Sequence, residues 1–399
     1  MIKMSTVPLF IPINEIDKYF FNRKNDITKI EYYLDSLEKN ISQRLLITGY
    51  RGVGKTFLLH KIKQDAKKEY IVTYLDISRV VGIDNNKLTA KSILLELLDA
   101  MNESLLENTE NNLEKINLEI TNFFNKLKIR DYDFNNGTKL AEIPIPSTEE
   151  NYKKISKFVM EYPQKIVENN EDINGFIIII DEFQLLKKLE EPESFFWLLR
   201  SYNQFQSNVS YVISGSVSHT ADVINMINGA SGAFGGRMIQ IDIKPFTKEE
   251  TAKYFKERFS EIEFTESGFD KFYEYTRGIP LYLNSFYNIL SSDEIYDDKK
   301  IEETFIKNMD QILVMWIRIW GSLNTSERMI ICSMLPREQS SWKDLESNND
   351  LSTATLNKYL KSLQDKGIVD YYNNSYVLTD LMLKRWLEHE KNIYGYYPY

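Results

Sequence analysis

Cysteine is nearly absent from this sequence, which has a single thiol, Cys332, in 399 residues. One cysteine excludes a disulfide within the chain and is typical of a reducing compartment. Long apolar runs are absent too, since runs such as Phe176 to Ile180 are far shorter than the roughly 20 residues of a membrane-spanning helix. The first residues, Met1 to Pro8, lack the apolar core of a signal peptide. Together these absences predict a cytoplasmic protein without a membrane partner.

An excess of positive charge is also missing. Lys and Arg number 49 against 58 Asp and Glu, so the formal net charge is −9. Such a chain binds nucleic acid only where it forms a local basic patch. The hydrophobic fraction of 43% and the charged fraction of 27% are ordinary for a globular protein. The length allows two or three domains with cores of their own.

The most specific motif is Gly-Tyr-Arg-Gly-Val-Gly-Lys-Thr at Gly49 to Thr56. A short apolar run, Arg44 to Thr48, precedes it and a helical pattern follows, which is the strand–loop–helix context of a P-loop. Gly49 and Gly54 permit a tight turn whose amides point at an anion near a helix N-terminus. An accidental glycine-rich turn is the alternative, and the flanking elements argue against it. The residues predicted to bind nucleotide here are Gly49, Tyr50, Arg51, Gly52, Val53, Gly54, Lys55, Thr56 and Phe57.

An acidic pair follows a second apolar strand. Asp181 and Glu182 stand directly after Phe176 to Ile180, and ligands bind at the carboxyl ends of parallel strands. We expect Asp181 and the Thr56 hydroxyl to hold Mg²⁺, and Glu182 to polarise the attacking water. Lys55 is predicted to reach the β and γ phosphates and to act in catalysis. The alternative for the acidic pair is a solvated turn after a strand.

Two further candidates lie near the ends of predicted strands. Ser214 follows a strand at 209–213, and it either touches the γ-phosphate or water, or forms an ordinary turn. Arg237 closes the glycine-rich stretch 229–236 before a strand at 238–243. Its guanidinium is a candidate arginine finger that would stabilise negative charge on the γ-phosphate. Such a residue can raise the rate of hydrolysis by roughly 10³–10⁵-fold. The alternative for Arg237 is a surface arginine.

Two arginines outside the strands are also candidates for nucleotide binding. Arg23 precedes a helical pattern that begins near Asp26, and it either sits against a bound base or belongs to an arm packed on the core. Arg277 and Pro280 form a turn between two predicted helices. Arg277 either folds over the nucleotide or caps a helix.

Three domains are predicted. Residues 1–244 form the P-loop domain, with a helical insertion at about 87–170 that is either solvated or a partner surface. A helical lid covers 245–322, and a capping box at Thr247 and Glu250 starts its first helix. Residues 323–399 have the helix and hairpin order of a winged helix-turn-helix with a recognition helix near 352–366. This predicted helix carries Lys358, Lys361 and Lys366 along its length. Both DNA and protein remain possible partners.

These motifs together resemble the archaeal ATPase family of the AAA+/STAND P-loop ATPases, which is related to the origin-recognition ATPases. The segments Phe21-Asn22-Arg23 and Tyr376 to Trp386 also resemble that family. The resemblance implies an α/β fold with a five-stranded parallel sheet in the order 5-1-4-3-2, a small helical lid and a C-terminal winged helix. It implies an arginine-finger or γ-sensing role for Arg237 and a position near the lid sensor for Arg277.

The function predicted from the sequence is a Mg²⁺-dependent ATPase that works as a molecular switch. ATP and ADP are favoured over guanine nucleotides by the resemblance, and no guanine-selective Asn-Lys-x-Asp motif is present. Closure of the lid would bring Arg277 and the glycine-rich loop toward the γ-phosphate. The expected partners are the nucleotide, double-stranded DNA or a protein at the winged helix, and further copies of the chain. The alternative is a DNA-binding regulator or signalling scaffold that binds nucleotide with little turnover.

Overall fold

A five-stranded parallel β-sheet forms the centre of the computed structural model, which describes residues 12–84, 87–108, 149–215, 234–372 and 374–398. The strands are β1 (Arg44–Gly49), β2 (Tyr70–Asp76), β3 (Gly175–Asp181), β4 (Val209–Ser214) and β5 (Ile239–Ile243). Their order across the sheet is β2-β3-β4-β1-β5. This confirms the predicted order 5-1-4-3-2, which lists the same strands starting from the opposite edge. Because every pair is parallel, all strands begin at one end of the sheet, here the amino end, and finish at the other, the carboxyl end.

Helices cover both faces of the sheet. They are α1 (Ile16–Tyr19), α2 (Lys24–Leu34), α3 (Lys55–Asp65), α4 (Ile77–Ile83), α5 (Ala90–Asn108), α6 (Glu149–Glu168) and α7 (Pro192–Asn203). Side chains of β3 alternate between two cores. Ile177 and Ile179 pack with α2 and α3, while Phe176, Ile178 and Ile180 pack with α5, α6 and α7. The apolar run of β3 is therefore buried on both faces, as its composition predicted.

The described helices of the predicted insertion belong to the core of this domain. Buried residues of α5 and α6, among them Leu97 and Val159, pack in the same cluster as Phe176. The hydroxyl of Tyr162 in α6 donates to Asn102 Oδ1 in α5 at 2.7 Å. These two helices thus act as the crossover between β2 and β3. The predicted loop at 134–146 lies outside the described residues.

A small helical region follows β5. It contains β6 (Glu263–Phe264), β7 (Ile295–Tyr296) and the helices α8 (Lys248–Arg258), α9 (Glu266–Thr276), α10 (Pro280–Tyr287), α11 (Asp298–Lys307), α12 (Met309–Ile312) and α13 (Val314–Gly321). The capping box is confirmed, since Thr247 Oγ1 accepts from the Glu250 amide and the Glu250 carboxylate accepts from the Thr247 amide. We call residues 245–322 the lid.

The C-terminal module, residues 323–398, has the predicted order of elements. Three helices, α14 (Thr325–Met334), α15 (Trp342–Asn348) and α16 (Thr353–Asp365), precede an antiparallel hairpin of β8 (Val369–Tyr372) and β9 (Ser375–Leu378) and a last helix, α17 (Leu381–Tyr394). The lid and this module share one hydrophobic core. Trp320 of the lid, for example, meets Trp386 of the module edge-to-face at 5.8 Å between ring centroids.

One lysine near the predicted recognition helix forms an ion pair within the module. Lys366 Nζ lies 2.6 Å from the carboxylate of Glu327, which is 1% exposed. Ser362 also donates to this carboxylate at 2.6 Å. Of the three lysines along the predicted recognition helix, Lys358 and Lys361 are exposed, whereas Lys366 is half-buried and paired with Glu327.

Across the part of the chain that the structure describes, no helix combines the length and apolar character needed to cross a bilayer.

Candidate functional site

The loop between β1 and α3 lies at the carboxyl end of the sheet and depends on glycine. Gly49 has φ +151°, and a Cβ there would stand 2.5 Å from the carbonyl oxygen of Ile243 in the neighbouring strand. Gly52 has φ +78°, and a Cβ there would stand 2.7 Å from Cβ of Leu281 in the lid. A side chain at either position would push the loop away from its supports, so glycine is required for packing as well as for backbone conformation.

Lys55, the first residue of α3, folds back over this loop. Its Nζ donates to the carbonyl oxygens of Gly49 at 2.8 Å and of Tyr50 at 3.1 Å, and the residue is 7% exposed. Burial lowers the pKa of Lys55, and the nearby carboxylates of Asp181 and Glu182 oppose that effect. An ammonium group is therefore held at the loop, beside the acidic pair.

Asp181 connects the acidic pair to the P-loop. Thr56 Oγ1 donates to Asp181 Oδ2 at 2.6 Å, and the Tyr74 hydroxyl donates to the same oxygen at 2.8 Å. The amide of Glu182 donates to Oδ1 at 2.9 Å. A shared Mg²⁺ site needs the acidic pair and the P-loop to lie within reach of one hydrated ion. The structure places them closer than that, because Thr56 and Asp181 are in direct contact.

Thr56 and Asp181 also supply the right donors for Mg²⁺. A hydroxyl and a carboxylate are both oxygen ligands, and Mg²⁺ is commonly held by one or two carboxylates together with substrate phosphates. Within the described ranges, no cluster of three or more His, Cys, Asp or Glu side chains could hold a metal by itself. The donor set thus fits an ion that arrives with a nucleotide.

Glu182 stands at the end of β3 in an unusual backbone conformation. Its φ is +54°, in the left-handed region that a residue with a side chain rarely adopts, at a cost of about 1–3 kcal/mol. Its half-buried carboxylate accepts a hydrogen bond from Gln184 Nε2. Burial raises the pKa of Glu182, as does the charge of Asp181, while the Gln184 hydrogen bond and Lys55 act in the opposite direction. A carboxylate with a raised pKa is a better proton acceptor near neutral pH.

Ser214 ends β4, between the strands that carry the two motifs. It pairs in register with Ile47 of β1, and the preceding residue pairs with Ile180 of β3. Its side chain is fully buried, and its Oγ has no hydrogen-bond partner among the described residues. A buried hydroxyl without a partner costs about 1–3 kcal/mol. Its position suits a group that bonds to a ligand at this end of the sheet.

Arg23 lies between the P-loop and the lid. Its guanidinium donates to the carbonyl oxygens of Lys244 at 2.6 Å and of Val53 at 3.0 Å, and it lies 4.6 Å from the ring centre of Phe246. Burial lowers the pKa of Arg23, although Asp26 and Glu250 favour its charged form. Of the two interpretations offered by the sequence, these contacts are those of a segment packed on the core.

The turn with Arg277 and Pro280 touches the loop through its backbone. Arg277 is the C-cap of α9 with φ +50°, and its side chain is exposed. Pro280 opens α10, and the amide of Leu281 donates to the carbonyl oxygen of Gly52 at 3.2 Å. The capping role of Arg277 is thus observed in its backbone, and the lid rests on the P-loop at Leu281.

Arg237 does not lie with the other candidates. It precedes β5, and the register pairs Leu45 with Ile239 and Gly49 with Ile243. At about 3.3 Å per residue, Arg237 is roughly 20 Å from Gly49 along the strand direction. It is exposed at the amino end of the sheet, where its charge helps burial to lower the pKa of Arg44. Arg237 therefore does not lie beside the P-loop of its own chain, and its role as an arginine finger stays a prediction.

Two residues at the site were missed by sequence reasoning, namely Tyr74 and Gln184. Tyr74 pairs with Ile179 and Asp76 with Asp181, so side-chain alternation puts Tyr74 and Asp181 on the same face of adjacent strands. That signal is readable once the strand order is known. Gln184 lies two residues after Glu182 in a 3-10 helix, Phe183–Lys188, which the sequence did not predict.

The model of a family described as an ATPase domain predominantly from Archaea matches residues 20–286. The chain belongs to this family. The matched region runs from the segment before α2 to α10, so it contains every candidate residue of the site. The C-terminal module lies outside it.

Similarity to solved structures extends over nearly the whole chain. One is a Walker-type ATPase of Pyrococcus abyssi, with a TM-score of 0.60 and 16% identity over 92% of this chain and 95% of that one. Another is the ADP form of the Aeropyrum pernix ORC2 protein, with a TM-score of 0.50 and 15% identity over 97% of this chain and 98% of that one. At these identities the comparisons establish the P-loop ATPase fold alone. No curated protein matches the sequence.

Proposed function

We propose that this protein is a Mg²⁺-dependent ATPase in which the nucleotide state controls a partner bound at the C-terminal module. The observation that carries the proposal is the 2.6 Å hydrogen bond between Thr56 Oγ1 and Asp181 Oδ2. It joins a phosphate-binding loop to an acidic pair at the carboxyl end of a parallel sheet, where open α/β folds bind their ligands.

The residues divide the chemistry among them. The loop amides and Lys55 bind the phosphates of ATP, and Thr56 and Asp181 would hold Mg²⁺, which neutralises charge on phosphate oxygens. Glu182 orients the attacking water in line with the γ-phosphorus and accepts its proton. The unpartnered Ser214 hydroxyl is placed to bond to the γ-phosphate or to the water.

The sequence left open whether Arg237 acts on the nucleotide of its own chain or on that of a neighbouring copy. Arg237 is exposed at the amino end of the sheet and is roughly 20 Å from the P-loop of its own chain along the strand direction. We expect its guanidinium to contact the γ-phosphate of a neighbouring copy of the chain, where it would stabilise the charge of the transition state.

A chain of contacts supports coupling between the P-loop and the C-terminal module. The Leu281 amide donates a hydrogen bond to the Gly52 carbonyl oxygen. The hydroxyl of the next residue, Tyr282, donates a hydrogen bond to the carboxylate of Asp380. Trp316 Nε1 donates to the Tyr282 hydroxyl at 2.6 Å. Asp380 is the N-cap of α17. A movement of the loop on phosphate binding would reach α17 through α10.

The partner is either double-stranded DNA or a protein. Lys358 and Lys361 are exposed on α16, whereas Lys366 is paired with Glu327. Titration with duplex DNA at two salt concentrations separates the two classes, because affinity that comes from phosphate contacts falls steeply as salt rises. A regulator or scaffold with little turnover remains the alternative to an active switch.

Steady-state ATP hydrolysis and nucleotide titration test the enzyme assignment. We expect Lys55→Ala to abolish nucleotide binding, because it removes the cation held at the loop by Gly49 and Tyr50. We expect Glu182→Gln to bind ATP normally and to lose about 10²–10⁴-fold in turnover, the usual value of a general base. A Glu182→Gln protein that hydrolyses ATP at the parental rate would refute the assignment.

A further inference from the structure

Gln184 makes a hydrogen bond that ties it to the proposed reaction. It is 8% exposed, and its Nε2 donates to Glu182 Oε2 at 2.5 Å. We propose that Gln184 is a positioning residue that holds the Glu182 carboxylate in the orientation needed to align the attacking water. This inference rests on the proposed function, because it assumes that Glu182 is the group that acts on the water.

The orientation of the Gln184 amide follows from chemistry. An ionised carboxylate only accepts hydrogen bonds, so the amide nitrogen must face Glu182 and the amide oxygen must face away. A hydrogen bond to a charged acceptor is also stronger than one between neutral groups. Among the described residues, Gln184 is the donor that bonds to this carboxylate.

The opposite side of the amide is confined by Gly215, directly after β4. A Cβ on Gly215 would stand 2.9 Å from Gln184 Oε1, closer than real Cβ contacts in proteins. Gly215 does not have a positive φ, so the shape of its backbone does not require glycine. The absent side chain instead leaves room for Gln184. The amide is thus held between the residue after β3 and the residue after β4.

This placement predicts a defect in catalysis rather than in binding. Gln184 bonds to one oxygen of Glu182 and leaves Oε1 for the water. Without that bond, the carboxylate is free to rotate about its side-chain torsions, and a displacement of about 1 Å at a reacting group can cost up to 10²-fold in rate. The amide of Gln184 lies against Glu182 and Gly215, and neither residue is part of the P-loop.

The test compares two buried glutamines in the full chain. Gln184→Met keeps length and volume but removes the donor, and we expect kcat to fall about 10-fold while KM for ATP and the affinity for ADP stay within about twofold. Gln184→Glu places two carboxyl groups together and is expected to lose more. The matched control is Gln206→Met at the amino end of the sheet, where Gln206 Nε2 donates to the carbonyl of Met160. This control is expected to lose stability and to keep its kcat.

Gly215→Ala provides a second route if a Gln184 variant does not fold. The added methyl group should displace the amide and lower kcat, and it should cause little further loss when combined with Gln184→Met, because both changes break the same contact. Parental kcat in Gln184→Met, or an equal loss of kcat in Gln206→Met, would overturn the inference. Turnover by Glu182→Gln, measured in parallel, would instead overturn the proposed function, so the two failures are distinguishable.

Discussion

The hydrogen bonding of polar side chains differs between the carboxyl end and the amino end of the central sheet. At the carboxyl end, Ser214 Oγ is buried and has no partner among the described residues, and Glu182 is held in a left-handed conformation. At the amino end, Arg44 donates to Asn203 Oδ1 at 2.8 Å, and Tyr211 donates to Gln206 Oε1 at 3.0 Å. The first end combines backbone strain at Glu182 with an unmet hydrogen bond at Ser214, which is typical of ligand sites. At the second end these bonds join neighbouring elements, although Asn203 Nδ2 there also has no partner among the described residues.

Arg237 is the residue that would break this comparison, because it is exposed at the amino end and is proposed to act in catalysis. We expect Arg237→Ala to lose about 10³-fold in turnover, the effect of removing an arginine finger. Mixing Arg237→Ala with Glu182→Gln should restore activity, since the site of the first variant would receive the arginine of the second.

The control for this experiment is Arg337→Ala, which removes another exposed arginine in the C-terminal module. It should leave basal turnover unchanged. If mixing the two inactive variants restores nothing, Arg237 does not act on a neighbouring copy, and the amino end is structural throughout.

Two tyrosines, one near each end of the sheet, sharpen the comparison with a smaller expected effect. Tyr74→Phe removes the hydroxyl that donates to Asp181 Oδ2 at the carboxyl end. Because that bond orients a proposed metal ligand, we expect the Mg²⁺ concentration for half-maximal ATP hydrolysis to rise severalfold, up to about 10-fold. Tyr211→Phe at the amino end should lower the free energy of unfolding by about 1 kcal/mol and leave the Mg²⁺ requirement unchanged. Equal Mg²⁺ curves for the two variants would contradict this assignment.

The smallest effect on turnover is expected away from both ends of the sheet, at Glu327 in the C-terminal module. Lys366 and Ser362 lower the pKa of this buried carboxyl group below its ordinary value, against the opposing effect of burial. In the unfolded chain this carboxyl group has a pKa of about 4.3. The contribution of ionised Glu327 to the free energy of unfolding is therefore complete above that pH, and it is lost as pH falls through the lower pKa of the folded state. Denaturant unfolding at pH 7 and at pH 3 measures this loss, and Glu327→Gln should reduce the difference between the two. At pH 7, a folded Glu327→Gln variant should hydrolyse ATP at the parental rate.

Local patterns and the family resemblance predicted much of this molecule. The P-loop at Gly49 to Thr56, the acidic pair and the capping box at Thr247 each depend on residues close together in sequence, and the structure brings each of these groups together. The strand order came from the resemblance, since spacing along one chain does not specify which strands are neighbours.

Other features depend on contacts between distant parts of the chain. Gln184 could be recognised only from its bond to a strained Glu182 and from the space at Gly215, and Lys366 only from a partner in another helix. The position of Arg237 relative to the P-loop depends on the sheet as a whole. The sequence showed that it precedes a strand, and in a parallel sheet that alone places it opposite the loop that follows β1.

The hydrophobic core shared by the lid and the C-terminal module has a consequence for how such proteins can be recombined. Cutting the chain near residue 322 would bare the rings of Trp320 and Trp386, which face each other across that boundary. A break near residue 244 would instead fall between separate hydrophobic clusters, which meet where Phe21 packs against Phe246. We therefore expect residues 245–398 to be inherited, exchanged and grafted as a single unit, in which the C-terminal module travels with the lid that rests on the P-loop.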